Sequence, residues 1–155
     1  MGTISLKKAR KVFGETVIIP GADLDIKDGE FVVFVGPSGC GKSTLFRMIA
    51  GLEDLTSGQV LIDGKDMTDE APSKRGLSMV FQSYALYPHM SVRGNIEFGL
   101  KVGGRKASKQ EIEETTARYT KLMGLSDFAN HYPKHLSGGM RQRVEIARAL
   151  AADAR

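Results

Sequence analysis

One segment of the sequence has the residue types and spacing to handle a polyphosphate. Gly36, Pro37, Ser38, Gly39, Cys40, Gly41, Lys42, Ser43 and Thr44 follow one another in the pattern G-x-x-x-x-G-K-[ST]. A polyphosphate has to be wrapped by backbone N–H groups, and glycine, with no Cβ, lets the backbone come that close. A helix that opens directly after the loop turns its N-terminus, equivalent to about +0.5 charge, toward the anion. Lys42 adds a full charge able to reach β- and γ-phosphates, and the Ser43 hydroxyl can ligate Mg²⁺. The chemistry implied is the binding of a nucleotide such as ATP with Mg²⁺; the plain alternative is a Gly-rich turn that matches by chance. Cys40, inside the loop, is either a thiol activated at a helix N-terminus or a small residue filling a loop position, and the second is the simpler reading.

A second segment, Leu136, Ser137, Gly138, Gly139, Met140, Arg141 and Gln142, puts a hydroxyl and two glycines at the start of a helical stretch. That makes another helix terminus with free N–H groups for an anion. Alone it reads equally as an ordinary Ser cap followed by flexible glycines.

The elements that must position these residues are legible in the hydrophobic pattern. Leu24 and Ile26 alternate with acidic and basic neighbours, as in a half-buried strand, and Asp28-Gly29 signals a turn. Residues 31–35 are continuously apolar, β-branched and aromatic, which predicts a strand buried on both faces and ending in the Gly-rich loop. A helix follows over 43–52, with Leu45, Met48, Ile49 and Leu52 on one face. Strands are expected at 58–62, before Asp63-Gly64, and at 77–81. From about residue 90 the pattern becomes helical. Residues 91–102 form one candidate helix. Ser108 and Glu111 make a capping box for a second, with Ile112, Thr116, Tyr119 and Met123 at helical spacing and Gly124 closing it. A third starts near Ser137, with Met140, Val144, Ala147 and Ala151 along one stripe.

Composition narrows the class. The 155 residues are 41% hydrophobic and 26% charged, ordinary values for a globular chain. A single cysteine excludes an intrachain disulfide. No apolar run approaches the roughly 18 residues of a membrane span, the start lacks a signal-peptide core, and Leu6 stands where a myristoylation motif needs Ser or Thr. A soluble, cytosolic protein is the expectation. The net charge of +4 is concentrated late: residues 1–100 hold 11 basic and 12 acidic side chains, residues 101–155 hold 11 and 6. Such an excess suits anionic partners or is simply a solvated surface. With no aromatic platform around it, nucleic acid is not among the expected partners.

Taken together, residues 29–44, 80–89 and 136–139 resemble the nucleotide-binding subunit of an ABC transporter, of the kind that powers sugar and glycerol-phosphate importers such as the maltose transporter. The likeness covers essentially the whole chain. It implies an α/β fold: a P-loop NTPase (RecA-like) core with N-terminal antiparallel strands and an inserted α-helical subdomain. It divides the chain into a nucleotide-binding core over 1–86, a helical subdomain over 87–135, and a signature motif and returning helix over 136–155. Phe13 then stands where the family stacks an aromatic on adenine. Gln82 stands at the family's Q-loop, where its amide meets Mg²⁺ and the attacking water. Residues 84–89 lie near the groove that receives an integral-membrane permease subunit. Ser137, Gly138 and Gly139 act in trans, closing on the γ-phosphate held by the phosphate loop of a second subunit in a head-to-tail dimer, homodimeric or paired. Met140 departs from the family's usual Gln, and so loses a side-chain amide there.

The same resemblance implies an ATPase on the inner face of the cell membrane, coupling hydrolysis to transport of a carbohydrate or glycerol-phosphate. The family carries its Mg²⁺-holding Asp, its water-polarising Glu and its switch His beyond the signature helix, and none of these falls within the sequence. His89, His131 and His135 all precede that helix. For these 155 residues alone the expectation is an incomplete core sheet and negligible turnover. The alternatives are a truncated module that binds nucleotide without hydrolysing it, and a P-loop kinase, which would leave Gln82 and the signature motif unexplained.

Overall fold

The computed structural model describes residues 2–81, 83, 85–102 and 107–152, so Gln82 and Tyr84 lie outside the described residues. Two compact units are present, one running to Leu77 and the other starting at Ser78.

The first unit is built on an antiparallel sheet of order β2-β1-β3-β4. Its strands are β1 (Ile4–Phe13), β2 (Thr16–Ile26), β3 (Ser57–Ile62) and the short β4 (Lys65–Asp66). Leu6 pairs with Leu24 on one side and Val60 on the other, while Ile4 pairs with Ile26 and Ile62, so one face is apolar across three strands. The ladder shifts register between Leu6 and Ala9. Leu6 and Ala9, three residues apart, both point into the core, which a strict two-residue alternation forbids and a bulge allows. Against this face packs α1 (Lys42–Ala50), through buried Met48 and Ile49 and half-buried Leu45. Leu52, expected on the same helical face, falls beyond the helix end and is exposed.

The apolar run at 31–35 corrects the sequence expectation. It forms no ladder, and Phe31 and Val35 are 90% and 92% exposed. Residues 77–81 likewise carry no strand pairing. A strand exists only where another strand answers its N–H and C=O groups, and among the described residues no strand pairs with either run. The core sheet is incomplete, as the sequence led us to expect.

A buried arginine ties the far end of α1 down. Arg75, 4% exposed, donates to the carbonyls of Met48 (2.9 Å) and Ile49 (3.0 Å) in the last turn of α1, and to those of Glu70 and Thr68 (both 2.9 Å). Burial pulls the Arg75 pKa below its usual value, opposed by the charges of Asp54, Asp69 and Glu70.

The second unit is helical: α2 (Val92–Val102), α3 (Lys109–Leu122) and α4 (Gly138–Ala151). Val92 and Ile96 of α2 meet Val144, Ala147 and Ala151 of α4 in one core, closed by Leu125 and Leu136 from the connection. The Ser108 hydroxyl accepts from the Glu111 N–H at 3.2 Å and the Ser137 hydroxyl from the Met140 N–H at 3.3 Å, so both helices start where their caps predict. Among the described residues, no helix is long and apolar enough to cross a membrane.

The Arg75 brace gives a direct test. Arg75→Ala strands the last carbonyls of α1 in the core, and unsatisfied buried groups of this kind cost about 3 kcal/mol together. The urea midpoint should fall by about 1–2 M. A midpoint that does not move would show that water replaces the guanidinium at no cost.

Candidate functional site

The phosphate loop is continuous with α1 through Gly41, which takes the left-handed conformation (φ 94°) as the helix cap. A Cβ there would also press within 3.3 Å of Ile18 and Ile19, so both backbone and space call for glycine. At the other end of the loop, a Cβ on Gly36 would lie 2.9 Å from the Cys40 sulfur. Cys40 therefore packs over the loop's own first residue. Its Sγ also lies 3.5 Å from Lys42 Nζ.

Lys42 folds back over the loop. Its ammonium donates to the carbonyls of Gly36 (2.7 Å) and Pro37 (2.6 Å). The positive charge is thus held at the loop by main-chain oxygens, which an incoming phosphate would exchange for its own. The Ser43 side chain is exposed in the first turn of α1, Thr44 is half-buried, and Ser38 and Gly39 are exposed. The nine loop residues come together as the sequence places them, at a helix N-terminus.

Phe13 is the last residue of β1 and is 47% exposed, so it is not a core strand residue. The Lys11 ammonium lies 4.6 Å from its ring centre, while also meeting Glu53 Oε1 at 2.7 Å and the Asp54 carbonyl at 2.6 Å.

In the second unit, Ser137, Gly138 and Gly139 are exposed at the start of α4. Ser137 spends its hydroxyl as an acceptor on the cap, and nothing crowds Gly139. Met140 points the other way, half-buried against the helical core beside Val144 and Leu136. In this chain the side chain at 140 serves packing, and any ligand contact there falls to the main chain.

The expected functional residue Gln82 lies outside the described residues. Two buried polar side chains of the same unit were missed by sequence reasoning. Asn95, fully buried, accepts from the Tyr87 N–H at 2.8 Å and donates to the Tyr87, Met90 and Ser91 carbonyls at 3.0–3.1 Å. It sets the turn that follows Pro88. Glu145, also fully buried, bonds the Phe81 main chain. A Glu within a helical pattern carries no sequence mark of a partner as distant as Phe81, and an Asn none of the turn it closes. Among the described residues there is no group of three or more His, Cys, Asp or Glu able to hold a metal.

A loop of this form on a short helix, followed at a distance by a capped Ser-Gly-Gly helix start, agrees with comparison to known proteins. The family model described as ABC transporter matches residues 19–155. The chain belongs to the ABC transporter family. It is 56% identical over 153 residues to the maltose/maltodextrin import ATP-binding protein MalK of Yersinia pestis, covering 99% of this chain and 41% of that protein. It is 55% identical over 150 residues to the alpha-glucoside transport ATP-binding protein AglK of Rhizobium meliloti, covering 97% of this chain and again 41% of that one. The chain therefore spans about 41% of the length of the curated relatives it matches. Among solved structures it is similar to the dimeric bacterial ABC transporter cassette MJ0796, with a TM-score of 0.86 at 39% identity, covering 97% of this chain and 70% of that one. The same cassette in a dimeric post-hydrolysis state bound to ADP and Pi gives a TM-score of 0.85 at 36% identity, with the same coverage.

The tight fit between Gly36 and Cys40 generates a paired prediction. Gly36→Ala should weaken nucleotide binding roughly tenfold by displacing the loop, and Cys40→Ala in the same protein should restore most of that loss. Binding that is equally poor with and without the second change would show that strain at position 36 lies elsewhere.

Proposed function

We propose that this chain is the ATP-binding part of an importer ATPase, which binds MgATP at the phosphate loop and hydrolyses it at a head-to-tail dimer interface to drive uptake of a solute of the carbohydrate or glycerol-phosphate class. The observation that carries the reading is the phosphate loop, with Lys42 held over it and α1 behind it, in a chain of the ABC transporter family. The relatives named for maltose and alpha-glucoside import support the solute class. The cassettes solved as dimers, one with ADP and Pi, support the assembly and the nucleotide.

The residues take distinct tasks. Gly36 and Ser38 to Gly41 offer main-chain N–H groups to the phosphates, Lys42 neutralises charge on the β- and γ-phosphates, and Phe13 stacks on the base. The donors present suit Mg²⁺. A hard cation that keeps several waters and leans on substrate phosphates needs only one or two protein oxygens, and the exposed Ser43 hydroxyl supplies one, with the Gln82 amide as the second. When bound, Mg²⁺ draws charge from the phosphate oxygens. Ser137, Gly138 and Gly139 serve the nucleotide of the partner copy. Residues 84–89 are the contact for membrane permease subunits, which places the protein on the inner face of the membrane. The functional division follows: a nucleotide-binding core over 1–86, a helical subdomain over 87–135, and the signature segment over 136–155.

Two experiments test this. Lys42→Ala removes a charged hydrogen bond worth about 1.5–3 kcal/mol, so calorimetry should show MgATP affinity lower by roughly ten- to a hundredfold; unchanged affinity refutes the site. Ser137→Arg should abolish ATP-driven dimerisation on a sizing column while monomer binding of MgATP stays intact. Equal loss of both would count against a role in trans.

A further inference from the structure

Phe13 closes β1 with its side chain 47% exposed. A half-exposed ring at a strand end changes rotamer readily unless something fixes it. Lys11, two residues earlier and so on the same side of the strand, brings its ammonium to 4.6 Å from the ring centre. That ammonium is not a mobile surface charge. Lys11 is 8% exposed, and its Nζ lies 2.7 Å from Glu53 Oε1 and 2.6 Å from the Asp54 carbonyl oxygen. An ammonium has three N–H donors. The two oxygens take two of them, and the ring face is within reach of the third. A cation at this distance is drawn to the ring's negative face, more strongly where water is kept out.

The anchor leads back to the phosphate loop from two directions. Glu53 and Asp54 follow closely on Gly51, the C-cap of α1. Two residues further on, the Thr56 N–H donates to the Arg10 carbonyl at 2.8 Å, and the Thr56 hydroxyl accepts from the Val12 N–H at 2.9 Å. On its other edge, β1 sets Lys11 opposite Ile19, which backs Gly41 of the loop. The end of β1 is therefore tied to both ends of α1, to its last turn through 53–56 and to its N-cap through Ile19. All of these residues belong to the first unit. An apolar side chain at position 11 would fill this corner with no charge to desolvate. A buried lysine is the costlier choice and needs Glu53 to answer it. The ring beside it is what the charge serves.

We propose that Lys11 is a positioning residue for nucleotide binding: held by Glu53 and Asp54, it fixes the Phe13 ring at a set place relative to the phosphate loop, so that the ring meets the base while the loop holds the phosphates. The proposal rests on the reading of Phe13 as the residue that stacks on the base. A fixed ring loses little freedom when a nucleotide arrives, and that saving appears as affinity.

The test uses the protein at its natural length and measures the affinity of MgATP and, as a ligand with no base, of magnesium tripolyphosphate. Lys11→Met, which keeps the apolar stem and drops the charge, should weaken MgATP binding about fivefold and leave tripolyphosphate within about twofold. Lys11→Arg, a cation that also packs on ring faces, should stay within about twofold of the natural protein. In a Phe13→Ala background, Lys11→Met should cost less than about twofold more, because the ring it acts through is gone. A purely structural Lys11–Glu53 staple would weaken both ligands alike, or neither, and the losses of the two substitutions would multiply; any of these results overturns the proposal. If Phe13→Ala itself leaves MgATP affinity unchanged, the reading of Phe13 fails and the proposal falls with it. If Phe13→Ala weakens MgATP binding and Lys11→Met does not, the reading of Phe13 stands and the proposal alone fails. Should Lys11→Met not fold, Lys11→Gln, an uncharged side chain that still donates, is carried through the same measurements with the same expectations.

Discussion

A nine-residue helix does not hold its shape in water unaided, because nucleation costs more than two turns of hydrogen bonds return. Every property of the phosphate loop depends on α1 being there, so the loop depends on what pins α1. The pin has two parts. Met48 and Ile49 are buried against the apolar face shared by β1, β2 and β3. Arg75 takes up the carbonyls that the last turn cannot pair for itself. The helix dipole at Lys42 is thus anchored from the opposite end by a cation at the C-terminus, where the dipole favours one.

The second unit solves the same problem differently. Its three helices supply one another with apolar surface, and Asn95, Glu145 and Arg148 turn their polar groups to irregular chain. Asn95 closes four main-chain bonds in the 87–91 turn, while Glu145 and Arg148 serve 81 and 85. Buried polar side chains here do what a sheet ladder does elsewhere. These three side chains therefore have specific main-chain partners rather than a general contribution to solubility.

Features encoded by local spacing were legible in the sequence, and features that need a remote partner were not. The phosphate loop, the caps at Ser108 and Ser137, and the stripe of Met140, Val144, Ala147 and Ala151 all depend on residues within a few positions of each other. The run at 31–35 has the residue types of a central strand, yet pairing is a property of two segments and hydrophobicity reports only one. β1 escaped reading for another reason. Its bulges around residues 7–11 break the two-residue alternation, and four of those five residues are basic. Arg75, Asn95 and Glu145 look like surface residues in sequence and are buried because main-chain groups need them, far along the chain for Arg75 and Glu145 and in the preceding turn for Asn95.

The setting of Phe13 bears on which nucleotide such a pocket prefers. Lys11 covers one face of the ring and is itself fixed by Glu53 and Asp54. In the role proposed for Phe13, the other face of the ring is the one that takes the base. Stacking on a π-face is open to any base, since it reads neither the amino group of adenine nor the carbonyl of guanine. A site of the proposed kind, holding phosphates by main chain and the base by one ring face, would be fussy about the triphosphate and indifferent to the letter. For such a site the choice between purine nucleotides passes to their relative abundance.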